Sequence, residues 1–230
     1  MEVIQQPDTL LSLESLNVRV QAWPLLKGKV EVDEVTLSQV AVNSANLIEG
    51  MQIKGVLGRF FLQSHGVDLS NETAVVNRTE LSDTHIQLLM TDTTTTPKDT
   101  TASAPVNWKV NLHQLKLKNV SFGMKLPADS MKMAAYIGEA TIDDAKADLK
   151  NQFYGLKQFL LSGASASYDT GEVQPSEGFD ASHMAVRNIR IGLDSLLYEG
   201  RNMNAVIREI TNGRAFGTEY YFTDRAALFE

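Results

Sequence analysis

The side chains able to carry chemistry are few and scattered. Four histidines, His65, His85, His113 and His183, stand far apart in the chain, and none lies at a metal-ligand spacing from another His, Asp or Glu on an inferred shared face. The absence of cysteine removes thiolate zinc sites, iron–sulfur clusters, Cys nucleophiles and disulfide scaffolds together. GASAS, from Gly163 to Ser167, lacks the closing glycine of a nucleophile elbow. Gly50, Gly55 and Gly58 do not make a dinucleotide fingerprint, and there is no Walker sequence. The neighbouring carboxylates Asp143–Asp144 and Asp33–Glu34 fit a solvated face better than an acid–base pair, whose groups must converge across a site. Lys116 with Lys118, and Arg187 with Arg190, read as edge-strand protection or solubility. The expectation is no catalytic residue, no cofactor and no metal site: a binding or structural module, not an enzyme.

What the chain offers instead is a repeat. An apolar residue, two polar, an apolar, one polar, an apolar, two polar, an apolar, one polar and an apolar recur from starts at Leu13, Val32, Leu57, Val76, Leu112, Ile137, Leu156 and Ala181. The five designated positions are apolar in 36 of 40 cases and the six between them in 6 of 48, a contrast that marks a buried and a solvated face. The starts are spaced 19, 25, 19, 36, 25, 19 and 25 residues apart, so copies two apart within each half lie 44 residues apart, which argues duplication.

Alternation of this kind belongs to strands with one buried face. The paired polar residues break period two, and every later side chain flips to the wrong face unless a bulge or corner restores it. The residue before the fourth apolar position is Gln39, Ser64, Asp83, Asn119, Asp144, Gly163 or Asn188 in seven of the eight copies, and Asn, Asp and Gly tolerate the left-handed backbone that a corner needs. His65 takes an otherwise apolar position, which predicts a partly buried structural imidazole. Two windows, 129–136 and 203–210, are long enough for two helical turns, but neither would cover a sheet of eight strands. The apolar face is then closed by the sheet itself or left as a groove, in a folded-over sheet, sandwich, barrel or solenoid.

The chain has 230 residues, 43% apolar, with 28 acidic against 21 basic residues and a net charge of −7. That apolar content excludes disorder, and the acidic balance gives no footprint for nucleic acid. Neither a signal peptide nor a 20-residue apolar run is visible. A Thr-rich stretch, 91–105, separates halves 8–90 and 106–222 of one continuous architecture and reads as an exposed loop.

Three segments, LLKGKVEVDEVTLSQVAV (25–42), WKVNLHQLKLKNVSFGMKLP (108–127) and HMAVRNIRIGLDSLLYEG (183–200), resemble the AsmA-like superfamily, most closely its TamB-type translocation and assembly module proteins of the Bacteroides-like form. The opening PDTLLSLESLNVRVQAWPLLKGK resembles a stretch that recurs in that family, and the likeness runs from about Asp8 to Phe222. It implies an all-β fold: an elongated, curled repeat sheet, the open trough called a β-taco, with at most short helices. It also implies a segment of a long periplasmic protein anchored in the inner membrane by an amino-terminal helix outside this chain. Such proteins support phospholipid transport and outer-membrane assembly. The partners implied are phospholipid acyl chains and, for the full-length protein, an outer-membrane assembly factor of the Omp85 type.

Lipid tails ask for continuous aliphatic surface, so the residues expected to line a groove are Val35, Leu37, Val40, Val42, Leu115, Leu117, Val120, Phe122, Ile142, Leu161, Val186, Ile189 and Ile191. The competing expectation is a secreted or surface β-solenoid or sandwich, an adhesion or carbohydrate-binding module with a self-filled core. The low aromatic content, 7%, speaks against a sugar-stacking row.

Overall fold

A computed structural model describes residues 2–5, 8–21, 32–44, 50–68, 71–90, 107–127, 130–171, 180, 182–200 and 202–212, with side chains from Leu11 onward. Ten strands form one sheet in strict chain order. They are β1 (Glu2–Gln5), β2 (Asp8–Val20), β3 (Val32–Asn43), β4 (Met51–Asp68), β5 (Thr73–Met90), β6 (Lys109–Leu126), β7 (Met131–Asp148), β8 (Phe153–Thr170), β9 (His183–Glu199) and β10 (Asn202–Thr211). Strands β4 to β8 are 18 residues each, far beyond the usual five or six.

All neighbours run antiparallel except β5 and β6. That parallel pair joins the two halves of the repeat. Val76 lies opposite Leu112 and Ile86 opposite Phe122, so the offset of the pair is the 36-residue interval seen in the sequence. The 44-residue period is likewise explained, because one antiparallel hairpin is the duplicated unit. The Thr-rich stretch 91–105, Trp23 and the repeat start at Ala181 lie outside the described residues.

The break in period two is resolved by corners. Gln39, Asp83, Asn119, Asp144 and Asn188 have φ between 50° and 54°, and Gly163 has φ 61°; these are six of the seven residues expected to turn. A left-handed residue between two extended segments returns the next side chain to the original face. The corners are aligned from strand to strand. Gln39, Gly58, Asp83, Asn119, Gly138 and Gly163 follow one another across β3 to β8, each between the same two partnered pairs of the ladder. A second line passes through Asn77, His113, Asp144 and Lys157.

Side chains replace the missing ladder bonds there. Asn119 Nδ2 donates to Asp83 Oδ1 (2.7 Å), His113 Nδ1 lies 3.1 Å from Asp144 Oδ1, and Lys157 Nζ donates to Asp144 Oδ2 (2.8 Å). Lys157 first, then His113, hold the exposed Asp144 carboxyl below its ordinary range. Where a corner meets a glycine the reason is steric: a Cβ on Gly58 would stand 2.7 Å from Asp83 Cβ and 2.8 Å from its carbonyl oxygen.

Several expectations are corrected. In β4 the positive φ falls on Gly66 (φ 134°), not Ser64. Ser64 takes the ladder place opposite Val76, so His65 is turned out, exposed, with its Nδ1 3.0 Å from Asn77 Nδ2, and is no buried imidazole. Both helical windows are extended: 131–136 belongs to β7, paired with β6 and β8, and 203–210 to β10, paired with β9. Lys116 and Lys118 protect no edge, because β6 has a strand on each side.

Candidate functional site

Register carries the apolar positions into unbroken rows across the sheet. One row runs Leu16, Leu37, Phe60, Leu81, Leu117, Ala140, Leu161, Ile191, Ile210, with each residue the ladder partner of the next. Beside it run Val18, Val35, Leu62, Thr79, Leu115, Ile142, Phe159, Leu193 and Ile207. Nine strands at about 4.8 Å spacing make each row roughly 38 Å long. Beyond one line of corners lie Val40, Leu57, Thr84 and Val120, with the pair Ala164–Ile189 farther on, and then Val42, Gly55, Ile86, Phe122, Ala135, Ala166 and Val186.

All thirteen residues expected to line a groove fall in these four rows, on one face. Because corners restore the face after every break, residues three apart, such as Leu37 and Val40, remain neighbours on it.

This face is not covered by any described layer. Strands make extensive contact only with their sequence neighbours. The buried apolar residues among those described are Val40, Ala134, Ala140 and Ala164, three of them alanines. Of the thirteen, only Val40 is buried; Val42 and Phe122 are exposed and the rest half-buried. In a closed sandwich these side chains would interdigitate and vanish from solvent. At the ends of the rows exposure rises to 51% at Leu16 and 62% at Ile210. An apolar surface continuous over nine strands is far beyond the scattered exposed residues of an ordinary soluble protein.

Its polar interruptions are few. Thr79 and Thr84 both lie on β5, and Thr84 Oγ1 donates to Ser82 O (3.1 Å), so that hydroxyl asks nothing of a ligand. The opposite face is charged and pairs within itself: Arg190 with Glu209 (2.8 Å), Arg208 with Asp194, Lys109 with Asp148 (3.5 Å), and Arg78 with Glu80. Phe61, an aromatic out of pattern on that face, is flanked by the guanidinium groups of Arg59 and Arg78, each 6.0 Å from its ring centre.

Fold and site together define a class: a repeat β-sheet protein, one face polar and self-paired, the other apolar and open. Compared with family models and with curated proteins, the chain matches none. Among the described residues no helix is long and apolar enough to cross a membrane.

Proposed function

We propose that the chain is a segment of a periplasm-spanning bridge whose apolar face shields lipid acyl chains from water, supporting phospholipid transport and outer-membrane assembly. The observation that supports this reading is the continuity of the apolar rows over nine strands with no described layer upon them. Acyl chains are non-directional partners: each methylene removed from water contributes about 0.8 kcal/mol, and no fixed polar group is needed to orient it. A ligand recognised through hydrogen bonds would need polar groups aimed at it, and this face carries mainly Thr79 and Thr84 in its middle rows. The resemblance to TamB-type proteins adds the two-membrane setting and the Omp85-type partner of the full-length protein. The mechanism requires no catalytic residue: a chain slides from row to row over surface of constant character, so no position traps it.

Native mass spectrometry of the purified chain, followed by solvent extraction, tests the reading. Bound phospholipid is expected, and its displacement by Val120→Asp or Ile142→Asp. A lipid-free chain that self-associates through this face would overturn it.

A further inference from the structure

The charged face is interrupted over β5 to β8. His85, Ser121, Tyr136 and Ser165 are successive ladder partners across these four strands, and Gln87, Gly123 and Ala134 form the next line on the same face. Small residues in the second line leave a hollow: a Cβ at Gly123 would meet nothing nearer than Gln87 Cγ at 3.9 Å, and Ala134 beside it is buried. The two lines border a cavity of about 590 Å³, within the range of roughly 300–1,000 Å³ usual for ligand sites. No lysine, arginine, aspartate or glutamate lines it, so an ion entering would give up water without meeting a counter-charge. The polar groups that do line it share one property. The Tyr136 and Ser165 hydroxyls, the Gln87 amide and the His85 imidazole each combine donor with acceptor capacity. His85 Nδ1 is engaged with Ser121 Oγ (2.6 Å), which leaves Nε2 for a ligand.

We propose that this cavity binds a neutral pyranose ring of a saccharide. Groups that both give and accept hydrogen bonds match sugar hydroxyls, which do the same, and Tyr136 adds a flat ring for the apolar C–H face of the sugar. A flat sugar-binding surface needs a row of aromatics, which this composition lacks; a hollow with its own hydrogen-bonding wall needs only one. The cavity lies on the face opposite the acyl-chain rows, so it stands or falls apart from the lipid reading. For a ligand of about a dozen non-hydrogen atoms the dissociation constant is on the order of 1 mM.

The test is titration of the methyl glycosides of glucose, galactose, mannose and N-acetylglucosamine into the isotope-labelled full chain, followed by NMR. At least one is expected to saturate near about 1 mM and to move the amide signals of Ser121, Gly123 and Ala134. Gly123→Leu, which fills the hollow, and Tyr136→Ala, which removes its wall, should each weaken binding about tenfold or more, and Tyr136→Phe about two- to tenfold through the lost hydroxyl. Thr141→Ala, elsewhere on the polar face, should leave it unchanged. Glucose 6-phosphate should bind about tenfold more weakly than the best neutral glycoside, because its charge finds no partner. If Gly123→Leu and Tyr136→Ala do not fold, Tyr136→Phe decides. A soluble glycan and a glycolipid are told apart by which competes for the site: the same sugar as its disaccharide, or as its diacylglycerol glycoside in phosphatidylcholine nanodiscs. No saturation by any of the glycosides below about 20 mM, undiminished binding in folded Gly123→Leu or in Tyr136→Phe, shifts confined to the apolar rows, glucose 6-phosphate bound as tightly as the best neutral glycoside, or competition by neither carrier overturns the proposal.

Discussion

Replacing Gly58 by alanine attacks the corner line at its tightest point. The added methyl would lie 2.7 Å from Asp83 Cβ, 2.8 Å from Asp83 O and 3.0 Å from Ser82 O. Ordinary carbon contacts begin near 3.5 Å, so β4 and β5 must part by most of an ångström. Two of the three obstacles are backbone atoms, and Asp83 is further fixed by its left-handed φ of 50° and by the bond it accepts from Asn119. Overpacking of this kind costs about 1–3 kcal/mol, and stretching the flanking ladder at Leu57–Thr84 and Arg59–Ser82 adds about 1 kcal/mol, for a loss of roughly 2–4 kcal/mol. With a urea dependence of about 2–3 kcal/mol/M, the unfolding midpoint should fall by about 1 M. The control is Gly123→Ala, whose new methyl would meet nothing closer than Gln87 Cγ at 3.9 Å. That change should be neutral or stabilising by up to about 1 kcal/mol, through the unfolded state. Urea unfolding followed by circular dichroism compares them, and equal midpoints for the two variants would refute the corner argument.

At Asn119, φ 54°, glycine should cost under about 1 kcal/mol while valine loses about 2 kcal/mol or more, read in the same unfolding assay; equal losses would mean that the left-handed turn is not what matters there. The Asp144 carboxyl is held low by the Lys157 and His113 contacts, so what it contributes is present above the ordinary carboxylate value of about pH 4 and fades as pH falls through the lower folded value. The small stability gap between the parent chain and Asp144→Asn should therefore shrink from pH 7 toward pH 3, and a gap independent of pH would count against it. Asp148 is lowered chiefly by the hydrogen bond from the Asn151 backbone, so Asp148→Asn should show the same sign and pH window.

Much of this architecture was written in the spacing of apolar residues. Alternation with paired breaks demands a device that restores the face, and residue type at the break named it: Asp83, Asn119, Asp144 and Asn188 all adopt the backbone their side chains tolerate. Ser64 misled because its neighbour Gly66 takes positive φ more cheaply, and the turn moved there, expelling His65. The segment 131–136, MKMAAY, has helix-forming residues, yet pairing on both sides supplies hydrogen bonds that outweigh intrinsic preference. For Lys116 and Lys118 only the edge alternative failed, because strand order, which decides what an edge is, leaves no local signal in a repeat. The thirteen apolar positions were legible because each repeats a period, whereas their openness depends on there being no second layer among the described residues, a fact of tertiary structure.

Photocrosslinking from single positions on the two faces tests most directly that the apolar face stands open to acyl chains. A benzophenone side chain placed at Leu117 or Ile142, in the two middle rows, is compared with one at Lys116 or Thr141, the partnered pair on the polar face. With phospholipid present, irradiation should give lipid adducts by mass at Leu117 and Ile142 and none at Lys116 or Thr141. Adducts absent from both faces, or Leu117 crosslinked to another protein chain in place of lipid, would contradict the account.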